Sequence, residues 1–210
     1  MGLRILIADD HAVIRKGLKQ ILLESFPDAH INEAVDAEEV TAKTISETWD
    51  IIITDLSMPG RSGLDVAQDI KQNFPKIPVL ILSIHPEEQY AIRALKSGAS
   101  GYISKDAATE ELVGAVKRLL AGKKYISSEI ADKLANGVGI DQHITPHELL
   151  SNREYEIFIM LAQGKQVSEI AEQLHLGVTT ISTYRNRLLT KMGLKNNTDL
   201  IRYALDNQLI

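Results

Sequence analysis

The chain has 210 residues, 23 Lys plus Arg against 28 Asp plus Glu, 44% hydrophobic residues and no cysteine. This fits one large or two ordinary soluble globular domains and argues against disorder; zero cysteine excludes disulfides, thiolate zinc sites and a Cys nucleophile. No apolar run reaches the ~18 residues of a membrane span, the start reads as a strand and not a targeting segment, so a cytoplasmic location is expected, and the net charge of −5 by itself argues against a nucleic-acid partner.

In chain order, Ile5-Leu6-Ile7-Ala8 opens the pattern as a strand. A helical stripe of Val13, Leu18, Ile21 and Leu22 follows, then a shorter strand over residues 30–35. Ile51-Ile52-Ile53 precedes a helix with Leu64, Ala67, Ile70 and Phe74; Val79-Leu80-Ile81-Leu82 precedes one with Tyr90, Ile92 and Leu95; Tyr102-Ile103 completes five strands. The apolar runs lack the alternation of a sheet with one wet face, so they suit parallel strands covered on both sides. Five strands alternating with five helices over residues 1–122 predict an open, doubly wound α/β domain, because parallel neighbours need crossover helices.

Residues 123–147 read as a linker, with a short helix over 127–134 and a Gly- and Pro-bearing stretch over 136–147. Residues 148–210 carry no strand signal. Four helical stripes follow: Tyr155, Phe158, Ile159 and Ala162; Ile170, Ala171 and Leu174; Ile181, Leu188 and Leu189; Leu200, Ile201 and Ala204. Ser151-Asn152-Arg153-Glu154 is a capping box, and Gly164 can stop that helix in a left-handed conformation.

Ligands of an open α/β sheet sit beyond the carboxyl ends of the strands. There the sequence places Asp9-Asp10, Asp55, Ser83 and Lys105. Three carboxylates gathered together stay ionised only with compensating cations. Lys105 supplies one charge, and a hard, oxygen-liganded Mg²⁺ suits the remainder better than zinc. Singly, Asp9 and Asp55 could be helix caps, Ser83 and Lys105 solvated surface residues, and Tyr102 core; as a set they are hard to explain that way. His11 is read as structural or neutral.

This set, Asp9-Asp10-His11, Asp55-Leu56-Ser57-Met58-Pro59-Gly60, Ser83, Tyr102 and Lys105, resembles the receiver domain of two-component response regulators over residues 3–122. The resemblance implies a flavodoxin-like sheet of order 2-1-3-4-5. It makes Asp55 the acceptor of a phosphoryl group from a sensor histidine kinase, docking near helix one, or from a small phosphodonor. Mg²⁺ would be held by Asp10 directly, Asp9 mostly through water, Asp55 and the main-chain carbonyl of Ser57. Lys105 would share in neutralising the transferring group. Ser83 would donate to the new phosphoryl oxygen and Tyr102 would turn inward behind it, biasing a two-state equilibrium. Ile84, bulkier than the Ala often found there, is expected to shield the acyl phosphate.

In the C-terminal part, residues 167–174, the turn His175-Leu176-Gly177 and residues 178–192 have helix-turn-helix spacing. The second helix offers Thr179, Thr180, Ser182, Thr183, Arg185, Asn186, Arg187 and, near its end, Lys191 to phosphates and base edges. Residues 145–210 hold seven basic and seven acidic residues, so the −5 lies wholly on the N-terminal side. No acid occurs between Glu172 and Asp199, whereas Arg185, Arg187, Lys191 and Lys195 do. Charge alone leaves a DNA reader and an ordinary helical bundle equally open.

Residues 149–204 further resemble the LuxR-type helix-turn-helix of the NarL/FixJ response regulators, through Ser151-x-Arg153-Glu154, Leu161-Ala162-x-Gly164, Glu169-Ile170-Ala171, Leu174, Thr180-Ile181, Arg185 and Lys191-Met192. The resemblance implies a third helix in the DNA major groove, promoter half-sites read by a homodimer formed at least on phosphorylation, and a last helix serving dimerisation, core closure or both. Ser182 stands where the family often has Lys, Tyr184 where it has His, and Gly177 where it has Ser. Weaker or more phosphorylation-dependent DNA binding is expected. The competing readings are a phosphorylation-independent binding module with a vestigial pocket, and an Asp-nucleophile phosphohydrolase, for which no substrate cap or spare general acid is in evidence.

Overall fold

The computed structural model describes residues 2–135 and 145–210, and the chain divides into two compact units, residues 1–139 and 140–210. Among the described residues no helix is long and apolar enough to cross a membrane.

In the first unit, β1 (Arg4–Ala8), β2 (His30–Ala34), β3 (Ile51–Asp55), β4 (Val79–Ser83) and β5 (Gly101–Ser104) form one parallel sheet ordered β2-β1-β3-β4-β5. The expected order holds. Between the strands run α1 (Ala12–Ser25), α2 (Ala37–Ser46), α3 (Gly63–Asn73) and α4 (Glu87–Lys96), and α5 (Ala108–Leu120) follows β5. Ile5, Ile7, Ile53 and Leu82 pack with Leu18 and Leu22 of α1 and Leu112 and Val116 of α5. Their strand neighbours Leu6, Ile52 and Ile81 are equally buried and, by the two-residue period, serve the opposite face. The continuous apolar runs are the direct consequence.

Strand pairing levels the carboxyl ends: Ala8 lies opposite Thr54, Asp55 opposite Leu82 and Ser83 opposite Ser104. After β3 the chain turns into α3, whose N-terminus is fixed by a reciprocal Ser62–Asp65 capping box. A Cβ at Gly63 would lie 2.1 Å from the Asp55 carbonyl oxygen, so only glycine lets the helix start this close to β3.

The short helix expected over residues 127–134 is α6 (Ser128–Ala135), capped by the Ser127 hydroxyl, which accepts from the Ile130 amide at 3.3 Å. It packs on α4. The segment before it is not loose: Tyr125 pairs with Gly101 on the outer edge of β5. The Gly-rich stretch read as the linker's centre lies mostly in residues 136–144, outside the described residues.

The second unit has a 3-10 turn (Pro146–Leu149), α7 (Asn152–Ala162), α8 (Val167–Gln173), α9 (Val178–Met192) and α10 (Asn197–Asp206). The Ser151–Glu154 capping box starts α7, and Gly164 follows it at φ +86°. Phe158, Ile170, Ile181, Leu188, Leu200 and Ala204 are fully buried and close the core. The turn between α8 and α9 includes His175 at φ +52°, a left-handed conformation unusual for a residue with a Cβ.

Candidate phosphoryl pocket and DNA-reading helix

At the carboxyl edge of the first sheet Lys105 brings Asp9 and Asp55 together, and Asp10 sits beside Asp9. Asp9 and Asp55 are buried, and the Lys105 ammonium lies 2.7 Å from Asp9 Oδ2 and 3.0 Å from Asp55 Oδ1. Asp9 Oδ1 also accepts from the His11 backbone N–H at 2.8 Å. Asp10 is partly exposed on the same rim, and the His11 ring nitrogen Nδ1 lies 2.6 Å from its Oδ1. Asp9, Asp10 and His11 each bring a ligand atom within 4.8 Å of the others. Ser57 is half-buried in the turn after β3.

One ammonium does not balance three carboxylates. Burial, opposed by Lys105 but reinforced by Asp9 and Asp10, pushes the Asp55 carboxyl up to about 7. Burial also works against the charge of Lys105, but Asp55 and Asp9 outweigh it and hold its pKa above the ordinary lysine value. The pocket is thus a set of hard oxygen donors short of positive charge. That donor set fits a divalent cation such as Mg²⁺.

Ser83 is buried at the end of β4, directly after Leu82, the strand partner of Asp55. Its hydroxyl oxygen accepts from the His85 backbone N–H at 3.0 Å, and its side chain also lies within hydrogen-bonding reach of the Tyr102 hydroxyl. Tyr102 is already turned inward: it is 1% exposed and its hydroxyl donates to the His85 carbonyl at 2.8 Å. Burial raises its phenol pKa. His85, itself buried, with its ring 5.0 Å from that of Tyr90, therefore joins Ser83 to Tyr102 through its main chain. The sequence reading missed it, because a backbone bridge leaves no mark on residue type. Ile84 is 65% exposed on the rim.

On α9, Thr179, Thr180, Thr183, Asn186, Arg187 and Lys191 are exposed, and Ser182 and Arg185 are half-buried. The hydroxyls of Ser182 and Thr183 donate to the Val178 and Thr179 carbonyls. Arg185 Nε donates to Asn197 Oδ1 at 2.7 Å, and Lys191 Nζ to Glu154 Oε2 at 2.7 Å. Two of the expected DNA contacts are thus also internal ties of the bundle. Arg187 and Lys195 are exposed on the same acid-free stretch.

Two family models match the chain: the response regulator receiver domain over residues 5–117 and the bacterial regulatory proteins of the luxR family over residues 148–204. The oxygen regulatory protein NreC of Staphylococcus carnosus is 36% identical over 215 residues, covering 99% of both chains. Among solved structures, RcsB of Salmonella enterica serovar Typhimurium, bound to promoter rprA in the presence of phosphomimetic BeF3⁻, is 25% identical, with 97% of this chain and 98% of that one covered and a TM-score of 0.63. The response regulator ChrA of a heme-sensing two-component system is 32% identical, with 100% and 99% covered and a TM-score of 0.51.

Proposed function

The chain belongs to the response regulators that join a receiver domain to a LuxR-type helix-turn-helix, DNA-binding transcription factors of two-component signalling, and from that membership we infer that Asp55 is its phosphoacceptor. The observation that carries this reading is the sharing of the Lys105 ammonium between Asp9 and Asp55 at the carboxyl edge of the sheet.

Asp55 Oδ attacks the phosphorus of a phosphoryl group carried by a sensor histidine kinase or a small phosphodonor, and the bond to the donor breaks in line. Lys105 meets the charge developing on the equatorial oxygens, and the Ser83 hydroxyl donates to one of them. Asp9, Asp10, Asp55 and the Ser57 carbonyl would hold Mg²⁺, which when bound neutralises charge on the transferring group. A phosphoryl oxygen accepting the Ser83 hydroxyl proton then draws that hydroxyl towards Asp55 and shifts the loop that His85 ties to Tyr102.

The output is a change in homodimerisation and promoter binding by α9, with residues 1–122 as the receiver, 123–147 as the connection and 148–210 as the DNA-binding part of a cytoplasmic regulator. In support, RcsB has been solved as two dimers bound to two parallel DNAs. The test compares wild type and Asp55→Asn, each with Mg²⁺ and a small phosphodonor, for acyl phosphate, oligomeric state and DNA retention at fixed salt. Wild type should gain all three and Asp55→Asn none. Acyl phosphate formed without a change in dimerisation or DNA retention would refute the switch.

A further inference from the structure

The receiver unit does not end at α5. Residues 124–135 return along the outer edge of β5 and over α4, held by ties from several elements. Lys124 Nζ donates to the Ala99 carbonyl at 2.6 Å. The Tyr125 N–H donates to the Ser100 carbonyl at 3.0 Å, and the Tyr125 carbonyl accepts from the Tyr102 N–H at 3.1 Å. The Tyr125 hydroxyl donates to Glu111 of α5 at 3.0 Å. The Ser127 N–H donates to Glu87 Oε1 of α4 at 2.9 Å, and Ile130 of α6 is 1% exposed. Gly101 makes the approach feasible, since a Cβ there would lie 2.8 Å from the Tyr125 carbonyl oxygen. A lone lysine–carbonyl contact would be marginal, but this set forms a docked strap.

The strap touches the groups on which phosphorylation acts. Tyr102 holds the Tyr125 carbonyl by its backbone and the His85 carbonyl by its side chain. Glu87, which caps Ser127, follows His85 by two positions and begins α4. A displacement of residues 83–86 therefore shifts both anchors together.

We propose that residues 124–135 form a releasable strap: docked on β5 and α4 in the resting receiver, and freed when a phosphoryl group on Asp55 draws Ser83 and the β4–α4 loop towards it. Release adds 12 residues, up to about 40 Å of contour, to the chain between the two units. It also bares the β5 edge and the α4 surface under Ile130, a backbone edge and apolar patch that a second receiver can cover. The proposal rests on the phosphoacceptor reading of Asp55.

The test is amide hydrogen exchange on the full chain, with and without Mg²⁺ and a small phosphodonor, and mass spectrometry on the same samples to count acyl phosphate. Exchange at Tyr125 and Ser127 should quicken at least tenfold on phosphorylation, with the amides of β1 and β3 unchanged. In Glu87→Ala and, independently, Gly101→Ala, the same amides should exchange fast without phosphodonor, and phosphorylation should quicken them no further. Acyl phosphate on Asp55 with unchanged strap exchange overturns the proposal, as does wild-type protection in Glu87→Ala. Failure to form acyl phosphate at all overturns the phosphoacceptor reading, and the strap proposal with it.

Discussion

The Lys105 ammonium lies 3.0 Å from Oδ1 of Asp55, closer than any solvent-separated pair, and at 2.7 Å it also touches Asp9. It stands where charge would develop on a transferring phosphoryl group, and it also repels any divalent cation bound by the same carboxylates. Lys105→Ala should therefore have two opposite effects. Phosphorylation by a small phosphodonor should slow on the order of 10²-fold, the scale of losing one preorganised donor. Mg²⁺ should bind more tightly, because an ammonium has left the pocket. Titration calorimetry and acyl phosphate formation measured side by side decide it; a loss of both affinity and rate would mean that Lys105 only holds the pocket in shape.

The raised pKa of Asp55 makes the metal-free receiver sensitive to pH. Unfolded, this carboxyl titrates near its ordinary value of 3.8; folded, burial holds the proton up to about 7. Between these values the folded state binds more protons than the unfolded state, so stability falls as pH rises through the window. In chelator, the unfolding midpoint followed by Trp49, the one tryptophan and a buried residue of this unit, should drop from pH 4 to pH 7. The total loss should be a few kcal/mol at most. Asp55→Asn should flatten the profile, and Mg²⁺ should restore stability near pH 7 by binding the ionised form. A variant as pH-sensitive as wild type would assign the effect to another group.

What was legible in the sequence depended on local pattern. Ile51-Ile52-Ile53 marks a strand covered on both faces, and the rule that such strands deliver their ligands at the carboxyl end brings Asp55 to Asp9 without knowledge of a single contact. Pairings set by tertiary register were not legible. Lys191 meets Glu154 from 37 positions away and Arg185 meets Asn197 from 12, and neither separation follows from a helical period. Tyr125 reads as linker because one residue pairing on a sheet edge has no periodicity to reveal it. The nearest sequence signal was Gly101, a strand glycine, which often marks close approach by another backbone.

The Lys191–Glu154 tie separates stability from DNA contact within the basic stretch. Burial alone would raise the Glu154 carboxyl, but the Lys191 ammonium and the Ser151 backbone and hydroxyl outweigh it and hold it below the ordinary value. A depressed carboxylate stabilises the fold above its unfolded pKa, and the benefit is lost as pH falls through the folded one. Lys191→Met should therefore cost about 1 kcal/mol at neutral pH, since Lys191 is half exposed to screening water, and less in acid. Arg187→Ala should leave stability unchanged, weaken binding evenly across DNA sequences and lower the salt slope by about one. Denaturant midpoints and binding isotherms at three salt concentrations test both; Lys191→Met binding DNA as weakly as Arg187→Ala at equal folded fraction would place Lys191 at the phosphates.

Ser182 tests whether the DNA-reading helix is weak by composition. Its hydroxyl is spent on the Val178 carbonyl four residues back, a local bond that any helical residue can forgo, and its side chain is only half-buried on the early turns of α9. A lysine there can extend past the helix surface at little cost to packing. If the neutral charge of this unit limits affinity, Ser182→Lys should strengthen binding to unrelated duplexes and to target alike and steepen the dependence of log K on log salt by about one. Discrimination between sequences should not rise, because a phosphate contact carries no base information. If phosphorylation promotes dimerisation as proposed, the unphosphorylated chain should gain most. An unchanged salt slope in Ser182→Lys would show that this position faces away from the duplex, and that the helix enters the groove along its Thr183 and Arg187 side.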